Sequence, residues 1–378
     1  MTGNKTRLPL GEFDTIRLNA PYVTDPLALY TRLCQDRPNN LLLESVEIDS
    51  KAGTQSLLLV DACLRIECRG RAVQVRPLGD NGAALLRLLE QRLPAVITQT
   101  RVADELHLDF PASDRELDED SRLKGSSVLD VLRTLQRELQ CQQGKEALFM
   151  AGSFAYDLIA SFEDLPEVPE GSNDCPDYCF YVAETLITID HIKQSTQLLA
   201  CLFGGEEDEQ LDARYARLTA RLESFKQACQ QPLPAPQGTA PLTGALAVDK
   251  GDKQFCAEVE KLKGFIRRGD IFQVVPSRSF SLPCPDPVAA YRRLKQTNPS
   301  PYMFYVQDEG FTLFGASPES AVKFCANSRQ VEMYPIAGTR RRGLNPDGSI
   351  NLDLDGRIEL ELRQDEKEVA EHLMLVDL

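Results

Sequence analysis

Apolar residues come in short runs broken by polar clusters, as in Leu41-Leu42-Leu43 and Leu57-Leu58-Leu59-Val60, and this constrains the fold more than anything else in the chain. Runs of three or four such residues read as buried strands rather than helices. Residues 80–94 differ, because their leucines recur at helical spacing. Residues 148–156 read as a strand whose Gly152 marks a close approach. Residues 180–190 and 197–203 suggest a hairpin, followed by a polar helix over 206–230. Residues 104–124 are strongly acidic with few large apolar groups and predict an exposed loop.

Gln231-Pro232-Leu233-Pro234-Ala235-Pro236 opens the one convincing linker. It suggests an N-terminal lobe over 1–230, a linker over 231–247 and a second lobe over 248–378. In the second lobe, Asp252 is the expected N-cap of a helix that ends with Arg267, Arg268 and Gly269. Residues 271–282 read as a strand, and Asp286-Pro287 starts another helix. Residues 302–306, 311–315, 321–325 and 331–334 then suggest an antiparallel set. Strands and helices mixed without strict alternation predict an α+β fold.

A chain of 378 residues with 42% apolar content can bury a large core. A net charge of −15 and a pI near 4.8 argue against binding nucleic acid or an anionic membrane. There is neither a run of eighteen apolar residues nor a signal-like start, so the expectation is a cytoplasmic protein. Eleven scattered cysteines read as reduced thiols, and three histidines leave little room for a multi-histidine metal site. No nucleophile elbow, phosphate-binding loop or dinucleotide glycine pattern is present.

Two segments near the end could carry chemistry. Pro335-Ile336-Ala337-Gly338-Thr339-Arg340-Arg341-Arg342-Gly343 is either a basic turn at a strand end or an anion site. In the second case the Gly338 and Thr339 N–H groups would take a carboxylate. On a continuous final helix, Glu361, Asp365, Glu368, Glu371 and His372 would share about a third of the circumference. That face is either a solvated acidic surface or a divalent-cation site. Gln273 is either an outward strand residue or a cleft group, and Glu319 either a solvated carboxylate or a general acid.

These segments, with Leu41-Leu42-Leu43-Glu44-Ser45, Asn298-Pro299-Ser300-Pro301-Tyr302-Met303-Phe304-Tyr305 and Ser317-Pro318-Glu319, resemble the chorismate-utilising enzymes, most closely the anthranilate synthase component I family. The resemblance implies a layered β-sandwich flanked by helices. It also implies Mg2+-dependent conversion of chorismate and ammonia to anthranilate and pyruvate. Glu371 would then be the metal ligand, with Glu368 beside it or sharing a water. Gly338 and Thr339 would bind chorismate, and Glu319 would assist departure of the hydroxyl.

Relatives that add water carry a lysine where this chain has Gln273. Aminodeoxychorismate synthases often carry a lysine in place of Ala337, so both positions point to anthranilate. Ser45, Pro301, Tyr302 and Met303 match the family's tryptophan feedback pocket. No glutamine-hydrolysing motif is present, which implies a separate glutamine amidotransferase subunit. The alternatives are aminodeoxychorismate synthase component I and a non-catalytic tryptophan-binding fragment. Family members continue past the Glu371-His372 helix, so the resemblance also implies a fold incomplete at its C-terminus and an inactive chain.

Overall fold

Strand Glu12–Ala20 (β1) alternates buried and less buried residues, as a sheet with one packed face requires. The computed structural model describes residues 8–45, 55–112, 118–142, 148–163, 165, 174–205, 208–232 and 244–377. After β1 come helix Pro26–Cys34 (α1), strands Asn40–Glu44 (β2), Gln55–Arg69 (β3) and Ala72–Pro77 (β4), and helix Asp80–Arg92 (α2). Strands Thr98–Val102 (β5) and Glu105–Asp109 (β6) precede helices Glu119–Lys124 (α3) and Asp130–Glu138 (α4). Strands Gln140–Cys141 (β7), Met150–Phe154 (β8), Tyr178–Asp190 (β9) and Ser195–Phe203 (β10) lead to helix Asp208–Gln230 (α5).

The later part begins with strand Ala247–Val248 (β11), helix Asp252–Arg268 (α6), strand Phe280–Ser281 (β12) and helix Pro287–Thr297 (α7). Strands Tyr302–Gln307 (β13), Thr312–Ser317 (β14), Lys323–Cys325 (β15) and Gln330–Glu332 (β16) follow. Helices Leu352–Gln364 (α8) and Glu366–Asp377 (α9) close the described chain.

Among the described residues, twelve strands form one sheet along the path β14-β13-β2-β3-β9-β10-β1-β7, with β4, β5, β6 and β8 attached at its side. Its strand β3 changes partners midway. Leu57–Leu59 pair with β2, whereas Leu64–Arg69 pair with β4. The register against β9 is irregular between Leu59 and Leu64, where a bulge lets a strand bend. Apolar side chains gather under α2 and α4 in one cluster and under α1, α5 and α7 in another. The expected α+β fold is what the chain forms.

Several local expectations hold. A Cβ on Gly152 would meet the Cys179 carbonyl oxygen at 2.0 Å, so β8 can lie on β9 only with glycine there. Asp286 accepts a hydrogen bond from the Ala289 N–H at 2.9 Å, with Pro287 first in α7. Gly269 closes α6 at φ +80° in the left-handed region.

Others are corrected. Residues 104–124 are no continuous loop: Glu105–Asp109 is strand β6 with Leu106 and Leu108 buried, and Glu119–Lys124 is helix α3. Asp252 is the first residue of α6 rather than its cap, and its carboxylate instead accepts from Arg278 Nη1 at 2.5 Å. Residues 271–282 contain only the short strand Phe280–Ser281, paired with Ala247–Val248. The last two expected strands form a separate ribbon, β15 with β16. Residues 233–243 of the linker lie outside the described residues.

Chain before and after the linker meets in the large sheet, where β13 pairs with β2 from Met303↔Glu44 to Gln307↔Asn40. Two buried polar contacts reinforce that joint. Asp308, in the β13–β14 turn, accepts from Arg65 Nε at 2.9 Å and Nη2 at 3.0 Å, and from the Tyr181 hydroxyl. Glu44 accepts from the Tyr291 hydroxyl at 2.8 Å and from Lys295 Nζ at 2.5 Å. Among the described residues, no helix is long and apolar enough to cross a membrane.

Candidate functional site

Asp365 ends one helix and starts the next. Its Oδ1 accepts from the Lys367 N–H at 3.1 Å and the Glu368 N–H at 3.3 Å, capping α9. The final helix is therefore two helices, and Glu361 belongs to α8 rather than to the α9 face that carries Glu368 and Glu371. The short aspartate side chain offers its own backbone an alternative partner, which a helical-wheel projection ignores. Glu368 and Glu371 remain neighbours, three residues apart on one helix.

The turn expected to bind an anion lies directly against α9. Pro335–Gly338 line one side of an open hollow of about 490 Å³, facing Glu368, Val369, His372 and Leu373. Gly338 is pressed so close that an added Cβ would sit 2.1 Å from Glu368 Oε2. Behind the turn, Glu319 Oε1 accepts from the Ile336 N–H at 3.2 Å, and the Ser317 hydroxyl accepts from the Glu319 N–H at 3.2 Å. Across the helix, Gln273 Nε2 donates to Glu371 Oε1 at 3.5 Å. Contacts thus link Glu319 to the turn and the turn to Glu368, while Glu371 on the same helix meets Gln273 from ninety-eight positions away.

The arginines do not form a free cationic patch. Arg340 donates from Nη1 to Glu368 Oε1 at 3.1 Å and from Nη2 to Asp365 Oδ2 at 3.0 Å. Arg342 forks onto Asp355, whose Oδ1 also takes the Gly343 N–H at 2.8 Å. The hydrogen bonds from Arg342 hold the Asp355 carboxyl below its ordinary range. Sequence reasoning missed both pairings, because partners 13 to 28 positions away leave no periodic signal.

Glu368 and Glu371 suit the small share that a protein contributes to magnesium, one or two carboxylates, with water and substrate oxygens completing the octahedron. Among the described residues, no group of three or more histidine, cysteine, aspartate or glutamate side chains is disposed to hold a metal alone. Two hard carboxylates three residues apart on one helix, the first of them lining an open hollow, therefore fit Mg2+ and do not form a closed cage.

Ser45 and the 301–303 segment meet elsewhere, at the end of the β2–β13 pairing. Glu44 is opposite Met303, so Ser45 is one residue beyond the pair and Tyr302 one residue before it. Pro301 and Met303 are buried, Ser45 is half-buried and Tyr302 is exposed.

The profile of the chorismate binding enzymes matches residues 95–378, and the chain belongs to that family. Within it, the chain is 51% identical to anthranilate synthase component 1 of Vibrio cholerae serotype O1 over 366 residues, 97% of this chain and 69% of that one. It is equally 51% identical to the component of the same name from Escherichia coli K12, over 94% of this chain and 68% of that one. For the Salmonella typhimurium component the identity is 51%, over 98% and 70%. The crystal structure of anthranilate synthase component I from Streptococcus pneumoniae TIGR4 superposes with a TM-score of 0.57 over 96% of this chain and 67% of that one. At 22% identity that likeness bears on the fold, which it shares.

Proposed function

We propose that the protein is the aminase component of an anthranilate synthase, converting chorismate and ammonia to anthranilate, pyruvate and water in tryptophan biosynthesis. The observation that carries this reading is the contact of Gly338 with Glu368. It puts a backbone turn suited to a carboxylate beside a carboxylate helix face suited to a cation. The relatives' names support the same reaction.

Gly338 and Thr339 offer backbone N–H groups to a chorismate carboxylate, orienting the ring. Glu319, anchored to Ile336 N–H, donates the proton with which the C4 hydroxyl leaves as water. Gln273 cannot take a proton from water as a lysine of lowered pKa can, which leaves ammonia as the nucleophile at C2. Loss of the C2 proton with the enolpyruvyl group then yields the aromatic ring and pyruvate. Glu371 would hold Mg2+, with Glu368 beside it or sharing a water; bound there, the ion neutralises and templates a substrate carboxylate.

Ammonia comes from glutamine through a separate amidotransferase subunit in the cytoplasm. Tryptophan inhibits from the pocket at Ser45, Pro301, Tyr302 and Met303. That site joins chain from both sides of the linker, so a ligand there can favour one arrangement of the two over another.

Supplying the full-length protein with chorismate, Mg2+ and ammonium, and following anthranilate by fluorescence with pyruvate in parallel, tests the proposal. Stoichiometric anthranilate and pyruvate support it. Aminodeoxychorismate as the product, or tryptophan binding with no chorismate binding in calorimetry, overturns it.

A further inference from the structure

Part of the proposed metal face already has a cation beside it, supplied from within the chain. Two of the carboxylates at the start of α9, Asp365 and Glu368, are committed on two sides. Asp365 caps the helix with Oδ1 and accepts Arg340 with Oδ2. Glu368 accepts Arg340 with Oε1, while its Oε2 is pressed against Gly338. Arg340 Nη1 also donates to the Thr339 carbonyl at 2.9 Å, so the guanidinium is fastened to the turn it follows. One planar fork therefore ties three things together: the Gly338–Thr339 turn, the cap of α9 and the first carboxylate of its polar face. A lysine, with one compact ammonium, does not reproduce a fork that reaches two carboxylates and a carbonyl. Among the described residues, the one hydrogen-bond partner of Glu371, one turn further, is Gln273, at a long 3.5 Å.

We propose that Arg340 is a positioning residue for this site, clamping Glu368 and Asp365 to the chorismate-binding turn so that a divalent cation reaches Glu368 only by displacing the guanidinium. The inference rests on the reading of Glu368 and Glu371 as the Mg2+ face and adds a role for a side chain outside it. It makes cation binding and freedom of the turn a single event. Were Glu371 and Glu368 to hold a divalent cation, Arg340 would be released from Glu368 and the 338–339 N–H groups would gain freedom to adjust to substrate. It also accounts for the unequal shares expected of the two glutamates, since the unclamped Glu371 takes the ion directly and the clamped Glu368 takes it through exchange or a water.

Two measurements on Arg340→Gln, Arg340→Lys and Arg341→Gln test this. The first is hydrogen exchange of the metal-free protein over 365–372. Arg340→Gln should exchange faster at the Lys367 and Glu368 amides, while Arg341→Gln, which removes the same charge one residue along, should match wild type. The second is Mg2+ titration by calorimetry. Arg340→Gln should bind roughly two- to fivefold more tightly than wild type, the scale of a partly exposed ion pair, with Arg340→Lys between them. Unchanged exchange in Arg340→Gln overturns the clamp. Equal tightening in Arg340→Gln and Arg341→Gln also overturns it, because a general field effect would then suffice. Faster exchange with no Mg2+ bound by any variant overturns the metal reading and the displacement built on it.

Discussion

Gly338 and Glu368 touch so closely that no side chain fits between them: a Cβ at 338 would lie 2.1 Å from Glu368 Oε2 and 3.0 Å from Glu368 Cβ. The contact joins the turn to the helix and leaves the turn's backbone facing the hollow. Because the obstructing atoms are mainly the end of a flexible side chain, the fold can yield there and the site cannot.

Gly338→Ala should therefore fold, with loss of stability within about 1–2 kcal/mol, and should push Glu368 off Arg340. Mg2+ binding measured by calorimetry should change at least about threefold, on the scale of an ion-pair rearrangement. Unchanged binding in a well-folded variant would show that the contact has no part in the site.

A buried pair elsewhere sets an acid limit. Burial pushes the Asp308 carboxyl up, but hydrogen bonds from Arg65 and Tyr181 outweigh it and bring the pKa down to about 2. A carboxyl whose folded pKa lies below its unfolded value contributes stability that is complete above about pH 4 and lost as pH falls toward 2. The full contribution is about 2 kcal/mol. Denaturant unfolding of wild type should therefore weaken across that window, and Asp308→Asn should remove this part of the slope. Because Arg65 then loses the charge of its Asp308 partner but keeps its ion pair with Glu67, Asp308→Asn should also destabilise at neutral pH by about 2 kcal/mol.

Glu44 links β2 to α7 through Tyr291 and Lys295. Glu44→Ala leaves a buried hydroxyl without its acceptor and should lower unfolding free energy by about 2 kcal/mol. Glu44→Gln keeps an acceptor for Tyr291 and should lose about half as much. Equal losses in the two variants, read by urea titration, would assign the effect to the lost carboxylate charge facing Lys295 rather than to the Tyr291 hydrogen bond.

At Gly152 the obstruction is backbone, with Cys179 O at 2.0 Å and Phe180 Cα at 2.6 Å from an added Cβ. Gly152→Ala should be destabilised by at least about 2 kcal/mol. Gly264→Ala is the contrast, since a Cβ inside α6 meets only Arg268 Nη1 at 3.5 Å. That variant should gain about 0.5–1 kcal/mol, because alanine outranks glycine inside a helix. Thermal unfolding of both variants reads the two signs directly.

Much of the fold was legible because its signals are local. The leucines of α2, the cap-then-proline start of α7 and the glycine that ends α6 each act within a few residues. So does the pairing of Glu368 with Glu371, which needs only the spacing of one helical turn. The misreadings arose where a local signal needed a distant answer. Residues 271–282 have strand composition, but a strand needs a neighbour, and only Phe280–Ser281 find one. Asp252 stands where a cap could be, yet Arg278 claims its carboxylate.

The sequence by itself determined the α+β class, the resemblance to chorismate-utilising enzymes and the residue types of both candidate sites, because periodicity, capping and motif spacing are written along the chain. Only the tertiary structure decided that Arg340 faces Glu368 and Asp365 rather than a free anion, and that Asp308 closes on Arg65 across 243 positions. An ion pair depends on where two charges end up in space. That placement follows from how the sheet bends and which strands share its edge, neither of which any single stretch of sequence contains.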